Sequence, residues 1–157
     1  MDEDAVASWI DAAFAGTDRV VTDGSSFFFY DPDHLFPFAT LVTTNLYDQA
    51  SDLDRPGVYR LNVGVSKETW IRLFGRPTTR EQAAHGLGSG TDVEHDFTAL
   101  DTLMPHPVYG RMFWVSVLNP SVSTFELVKP LLADAYEREK SRVDRKAAHR
   151  TADDTAS

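Results

Sequence analysis

The densest chemistry in the sequence lies in Met104-Pro105-His106-Pro107-Val108-Tyr109-Gly110-Arg111, which sets an imidazole, a phenol and a guanidinium close together. The two prolines restrict the backbone, which is how a loop holds a site. An imidazole titrates near neutrality, so His106 is a candidate general base or anion-binding donor, with Asp101 as its orienting partner and Arg111 as a counter-charge. The competing reading is a rigid loop whose His and Tyr hydrogen-bond to backbone. A second polar pair, Arg60 and Asn62, stands two residues apart in the β-prone run Val58 to Val65, so both side chains share one face of a strand. The candidate ligand-binding set is therefore His106, Tyr109, Arg111, Arg60, Asn62 and Asp101.

Other constellations carry less. A metal would need His34, His95 or His106 to converge with Asp31, Asp33 or Asp96, and no two histidines have the i, i+3 or i, i+4 spacing of a helical ligand pair; no metal and no cofactor is expected. Asp31-Pro32-Asp33 is turn chemistry, in which the acids bond their own backbone. Leu53-Asp54-Arg55-Pro56-Gly57 reads the same way, with Arg55 left able to reach an anion. Gly86-Leu87-Gly88-Ser89-Gly90 lacks the Lys-Ser/Thr of a phosphate-binding loop and reads as a linker, and no serine sits in a Gly-x-Ser-x-Gly elbow. With no cysteine, thiolate nucleophiles, disulfides and sulfur-ligated metals are excluded.

The elements that must position these residues follow from periodicity. Val6, Trp9, Ile10, Ala13 and Phe14 mark the apolar face of a helix from Glu3 to Phe14. Ser26 to Tyr30 and Phe38 to Thr43 read as two strands of a hairpin, the second placing Phe38, Thr40 and Val42 on one face. Val58 to Val65 is a third strand. Ser66 caps a helix from Lys67 to Phe74, and the glycine-rich stretch 78–92 reads as a mobile excursion. Phe97 to Met104 predicts a short helix or turn ending at Pro105, and Met112 to Leu118, apolar on both faces, a strand at the centre of the sheet. Ser123-Thr124-Phe125-Glu126 has the capping-box pattern that opens a long helix, with a kink or split at Pro130. This order predicts an α+β fold, an antiparallel sheet with helices packed on one face.

The chain has 157 residues, 42% of them hydrophobic and 25% charged, the composition of an ordinary globular protein. One domain over 1–150 is expected, followed by a disordered tail at 151–157. The net charge of −9 is uneven: Arg138, Lys140, Arg142, Arg145, Lys146 and Arg150 make the end of the last helix basic, and the rest is correspondingly more acidic. An acidic body repels a phosphate backbone, which disfavours nucleic acid as a partner. Arg138, Arg142 and Arg145 recur at helical spacing, a solvated face or a dock for an acidic partner. No apolar run approaches a membrane span, and the acidic start is unlike a secretory signal, so a cytoplasmic protein is expected. Phe36 and Leu46 are candidates for a homodimer interface or for plain loop surface.

Taken together, Ser26 to Tyr30, Pro37 to Thr43, Leu53-Asp54-Arg55-Pro56-Gly57, Arg60-Leu61-Asn62-Val63, Pro105-His106-Pro107-Val108-Tyr109-Gly110 and Val117-Leu118-Asn119-Pro120 resemble a bacterial family, the domain of unknown function numbered 6194. The resemblance covers roughly Trp9 to Tyr136 and implies no activity. The strand order, the Trp114 strand and the closing helix with Leu131, Leu132 and Tyr136 look more distantly like YjbR/MmcQ-type domains. That likeness implies a CyaY-like α+β fold and, for some members, DNA binding. The leading expectation from the residues is a non-catalytic domain that binds a small molecule or protein. The alternatives are a small enzyme with a His106/Asp101 acid-base pair, and nucleic-acid binding by analogy.

Overall fold

The computed structural model describes residues 1–76 and 95–156, with side chains through 150; the predicted glycine-rich excursion lies outside the described residues. Helix α1 spans Glu3–Ala13, its first turn closed by the Asp2 carboxylate, which accepts from the Ala5 amide at 2.8 Å. Strands β1 (Asp18–Thr22) and β2 (Ser25–Phe29) form a hairpin. Its turn is Asp23-Gly24, both at positive φ (52° and 78°), as a type I′ turn requires. Strands β3 (Ala39–Val42) and β4 (Arg60–Gly64) follow, then helix α2 (Lys67–Phe74). The Ser66 hydroxyl caps α2 by accepting from the Thr69 amide at 3.2 Å. The two-residue strand β5 (Met104–Pro105) leads through a 3-10 turn at Gly110–Met112 into β6 (Trp114–Leu118), and helix α3 (Val122–Ala156) closes the chain.

The sheet runs β1-β2-β3-β4-β6-β5 with every neighbouring pair antiparallel. This is the α+β class expected. Alternation along the strands sorts the residues onto two faces. One face carries Phe28, Ala39, Leu41, Leu61, Val63, Val115 and Val117, and packs against Val6 and Ile10 of α1, Trp70 of α2, and Phe125, Val128 and Leu132 of α3. The three α-helices of the described residues therefore lie on this side. Among the described residues the other face is covered by loops, under which Val42, Leu53, Met104 and Leu118 form a small second core. Among the described residues no helix is long and apolar enough to cross a membrane.

Several expectations need correction. The strand Asp18–Thr22 was not foreseen, because an edge strand with no buried residue shows no alternation to read. Phe38 does not share a face with Thr40 and Val42: it precedes β3 and turns into the main core against Phe14 and Tyr136. Of the short helix or turn expected over Phe97 to Met104, a turn forms at Phe97-Thr98, while Met104 and Pro105 belong to a strand, and β6, though flanked on both sides, is next to the edge. The cap of α3 is Ser121, whose hydroxyl accepts from the Thr124 amide at 3.2 Å, and not Ser123. Of the kink or split expected at Pro130, the split does not occur: α3 runs through Pro130 as one helix, where Pro130 and Glu126 are both exposed and water can satisfy the Glu126 carbonyl. Its backbone is helical as far as Ala156.

Gly64, at the end of β4, lies against Trp114: a Cβ there would sit 2.8 Å from the indole Cε2. We expect Gly64→Ala to displace the Trp114 ring at a cost of about 1–3 kcal/mol, the usual penalty for overpacking. Urea unfolding followed by tryptophan fluorescence checks this; an unchanged midpoint and spectrum would show that the ring has room to move.

Candidate functional site

On the loop-covered face, one row of paired residues crosses five strands: Phe27, Thr40, Asn62, Ser116 and Met104. Its middle is polar and completely wired. The Asn62 amide donates to Thr40 Oγ1 at 2.9 Å, and Ser116 Oγ donates to Asn62 Oδ1 at 2.8 Å. Arg60, two residues along β4 and only 1% exposed, donates from Nε to the same Asn62 oxygen at 2.9 Å. The predicted Arg60/Asn62 pairing on one face is thus present, but as a buried floor and not as a surface.

A buried guanidinium needs a counter-charge. Asp48, in the loop between β3 and β4, supplies it with a two-pronged contact, Nη1 to Oδ1 at 3.0 Å and Nη2 to Oδ2 at 2.6 Å, and Ser51 Oγ accepts a further bond from Nη1 at 2.9 Å. Burial by itself would raise the Asp48 pKa, but the hydrogen bonds and charge of Arg60 outweigh it and hold the carboxyl below its ordinary value. Neither Asp48 nor Ser51 was singled out from sequence. The available signal was Arg60 itself, since an inward-facing arginine in a strand implies a carboxylate from a neighbouring loop.

His106 joins this floor from the segment after β5. Its ring is 4% exposed, and its Nδ1 accepts from the amides of Val108 at 3.0 Å and Tyr109 at 2.9 Å. The rigid-loop reading is therefore correct for this atom. An Nδ1 that accepts twice carries no proton, so the proton of the neutral ring is on Nε2. That Nε2 lies 3.5 Å from Arg60 Nη2, which is also a donor. Burial, and then the Arg60 charge, push the His106 pKa down to about 3, with Asp48 pulling weakly the other way, so the ring is neutral at physiological pH.

Above the floor is a cavity of about 360 Å³, lined by Arg60, Asn62, Asp48, Thr40 and His106 below and by Phe27, Phe36, Tyr47, Tyr109, Met112 and Trp114 around the sides. Its volume falls in the usual range for small-molecule sites, and the mixture of aromatic walls with a few fixed polar groups is what such sites use. Several wall residues are also open to solvent, Phe36 at 56%, Tyr109 at 51% and Tyr47 at 48%, so the aromatic surface continues to the rim.

Of the six candidates, Arg60, Asn62, His106 and Tyr109 meet here, and Asp101 and Arg111 do not. Asp101 sits at positive φ (56°) and accepts from the Ser121 amide at 2.7 Å, a bond that holds its carboxyl below the ordinary range and ties it to the start of α3. It is not the orienting partner of His106, and the predicted acid-base pair is not formed. Arg111 is exposed on the 3-10 turn and is not among the lining residues of this cavity. Arg55 gives its donors to the carbonyls of Ser51, Asp52 and Thr98, stitching two loops together in place of reaching for an anion. Asp31 accepts from the Asp33 amide, as the turn reading required, and also from Arg142 of α3.

Comparison with curated proteins and with solved structures returns no significant match. The family described as "Family of unknown function (DUF6194)" matches residues 1–148, nearly the whole chain, and the protein belongs to that family.

Proposed function

We propose that the protein is a non-catalytic binding domain whose cavity takes a flat, ring-bearing small molecule through one neutral oxygen, a carbonyl or amide. The supporting observation is the meeting of two N–H donors, His106 Nε2 and Arg60 Nη2, at the floor of an aromatic cavity. A buried donor facing another donor is an unmet bond that an acceptor between them would complete. Because Arg60 is already neutralised by Asp48 and His106 is uncharged, the floor has no net charge, and a neutral oxygen enters at lower desolvation cost than an anion. The walls Phe27, Tyr47, Tyr109 and Trp114 supply faces for a ring. A catalytic role for His106 has less support, because its Nδ1 is tied to two amides and, among the described residues, no carboxylate hydrogen-bonds to its ring.

The antiparallel sheet closed by a long helix supports the more distant YjbR/MmcQ likeness at the level of architecture. The acidic balance of the chain argues against the nucleic-acid role attached to some of those domains.

The test is a comparison of acetophenone and benzamide with toluene and benzoate, followed through the backbone amide resonances of Val108 and Tyr109. We expect both neutral carbonyl compounds to move these resonances and to bind at least about tenfold more tightly than toluene, a difference of roughly 1.4 kcal/mol. The shifts should disappear in His106→Phe. Equal binding of toluene, preference for benzoate, or no binding at millimolar concentration would each overturn the proposal.

A further inference from the structure

A second cavity, of about 340 Å³, adjoins the first. Phe36, Pro37, Met112 and Trp114 line both. The two are therefore compartments of one groove, which passes around the end of the sheet where β3 and β6 begin and β4 ends, reaching from the loop-covered face to the flank of α3. Its far compartment has a different character. Its α3 wall carries Arg138, Arg142 and Arg145, at i, i+4 and i+7 on a single helix face.

The three arginines are not equivalent. Arg142 is consumed: its Nε donates to Glu139 at 2.9 Å, its Nη2 donates to Asp31 at 2.9 Å, and its guanidinium lies over the Phe36 ring, 5.0 Å from the centroid. It thereby fixes Phe36, the shared wall, against α3. Arg145 donates from Nε to the Ser141 carbonyl at 3.3 Å, which is no charge partner. Arg138 has no hydrogen bond or ion pair among the described residues. In a chain with net charge −9, two arginines that face one cavity with no carboxylate of the described residues on either stand out from their surroundings. Glu139, the one acid lining the compartment among the described residues, is already bound to Arg142.

We infer that the groove takes an elongated ligand with an anionic tail, a phosphate monoester or a carboxylate, whose charged oxygens lie between Arg138 and Arg145 while its ring and neutral oxygen occupy the His106/Arg60 compartment. This rests on the proposed binding function and extends it. The division of labour follows from the two floors: the inner one is electrically neutral and excludes an anion, whereas the outer one holds two uncompensated cations with their fork-shaped donors in reach of solvent. The shared wall of Phe36, Pro37, Met112 and Trp114 would lie along the ligand's middle.

The experiment compares acetophenone with para-substituted acetophenones bearing a carboxylate or a phosphate monoester on tethers of two to four methylenes (about 1.25 Å each), against both the native protein and Arg138→Gln/Arg145→Gln. We expect at least one tether length to improve affinity about tenfold or more over acetophenone, the improvement to shrink as salt is raised, and the double variant to lose it while binding acetophenone as the native protein does. The carboxylate and phosphate arms identify the preferred anion. If acetophenone binds but no tail improves affinity, or the improvement survives in the double variant, the inference is overturned and the inner site stands. If acetophenone itself fails to bind, the inner site falls, and the inference with it.

Discussion

Arg60→Met should destabilise the protein by about 3–5 kcal/mol, the scale for removing one partner of a buried ion pair. The guanidinium is 1% exposed and serves four acceptors: both Asp48 oxygens, Ser51 Oγ and Asn62 Oδ1. Methionine fills a similar volume but leaves Asp48 facing an apolar neighbour and removes the donor that orients Asn62. Since whole domains are stable by only about 5–15 kcal/mol, this single change should dominate the unfolding curve. Asp48→Asn is expected to be milder, because it keeps acceptor capacity toward Arg60 while losing the charge. Combining the two should cost clearly less than the sum, since each single variant strands the other group. Urea unfolding of the two single variants and the double gives the coupling. A loss below about 1 kcal/mol for Arg60→Met would mean that the floor relaxes and does not organise this face.

The second large effect is on pH dependence. With a folded pKa of about 3 against an ordinary value of 6.5, His106 takes up a proton in the unfolded chain well before it does so in the folded one. Between these values the unfolded state binds more protons, so stability rises with pH, by about 1.4 kcal/mol per unit from this residue, and levels off above pH 6.5. Acidification from pH 6.5 toward 3 should thus remove as much as about 4–5 kcal/mol. Asp48, held below its ordinary value, adds a loss of the same sign at still lower pH, below about 3.8. His106→Asn separates this contribution from the others, because an Asn oxygen can accept from the Val108 and Tyr109 amides but does not titrate. Its stability should vary much less between pH 4 and 6.5 than that of the native protein. Parallel curves for the two proteins would show that His106 is charged inside the fold.

Much of the architecture was legible because it rests on local signals. Ser66 stands where a helix start needs an acceptor, and the alternation in Phe38 to Thr43 and Val58 to Val65 marks two interior strands. The strand Asp18–Thr22 escaped because nothing in it is buried. The site was half legible for a related reason. Arg60 and Asn62 could be placed on a common face by period, and the Pro105 to Arg111 segment recognised as stiff. Whether that face was wet or buried depends on the loop containing Asp48 and Ser51 folding back over it, a long-range contact with no periodic trace. Asp101 was assigned to His106 on sequence proximity, yet the positive φ at Asp101 aims its carboxylate at Ser121. The aromatic walls come from four separate stretches of chain, around Phe27, Phe36, Tyr47 and Tyr109 to Trp114, and only the sheet brings them together.

The two margins of the sheet are unlike each other. Strand β5 is two residues long and includes Pro105, which has no amide hydrogen to offer an incoming strand, and the chain turns away immediately afterwards. Strand β1, at the opposite margin, is five residues long, and its outward-facing backbone groups are guarded by charge: Arg19 pairs with Asp11 at 3.3 Å, and Asp18 meets His34. Strand-by-strand self-association is therefore blocked by chemistry at one side and only by electrostatics at the other. High salt or the loss of Arg19 and Asp18 would leave β1, with its exposed Val21, as the place where fibrous aggregation starts.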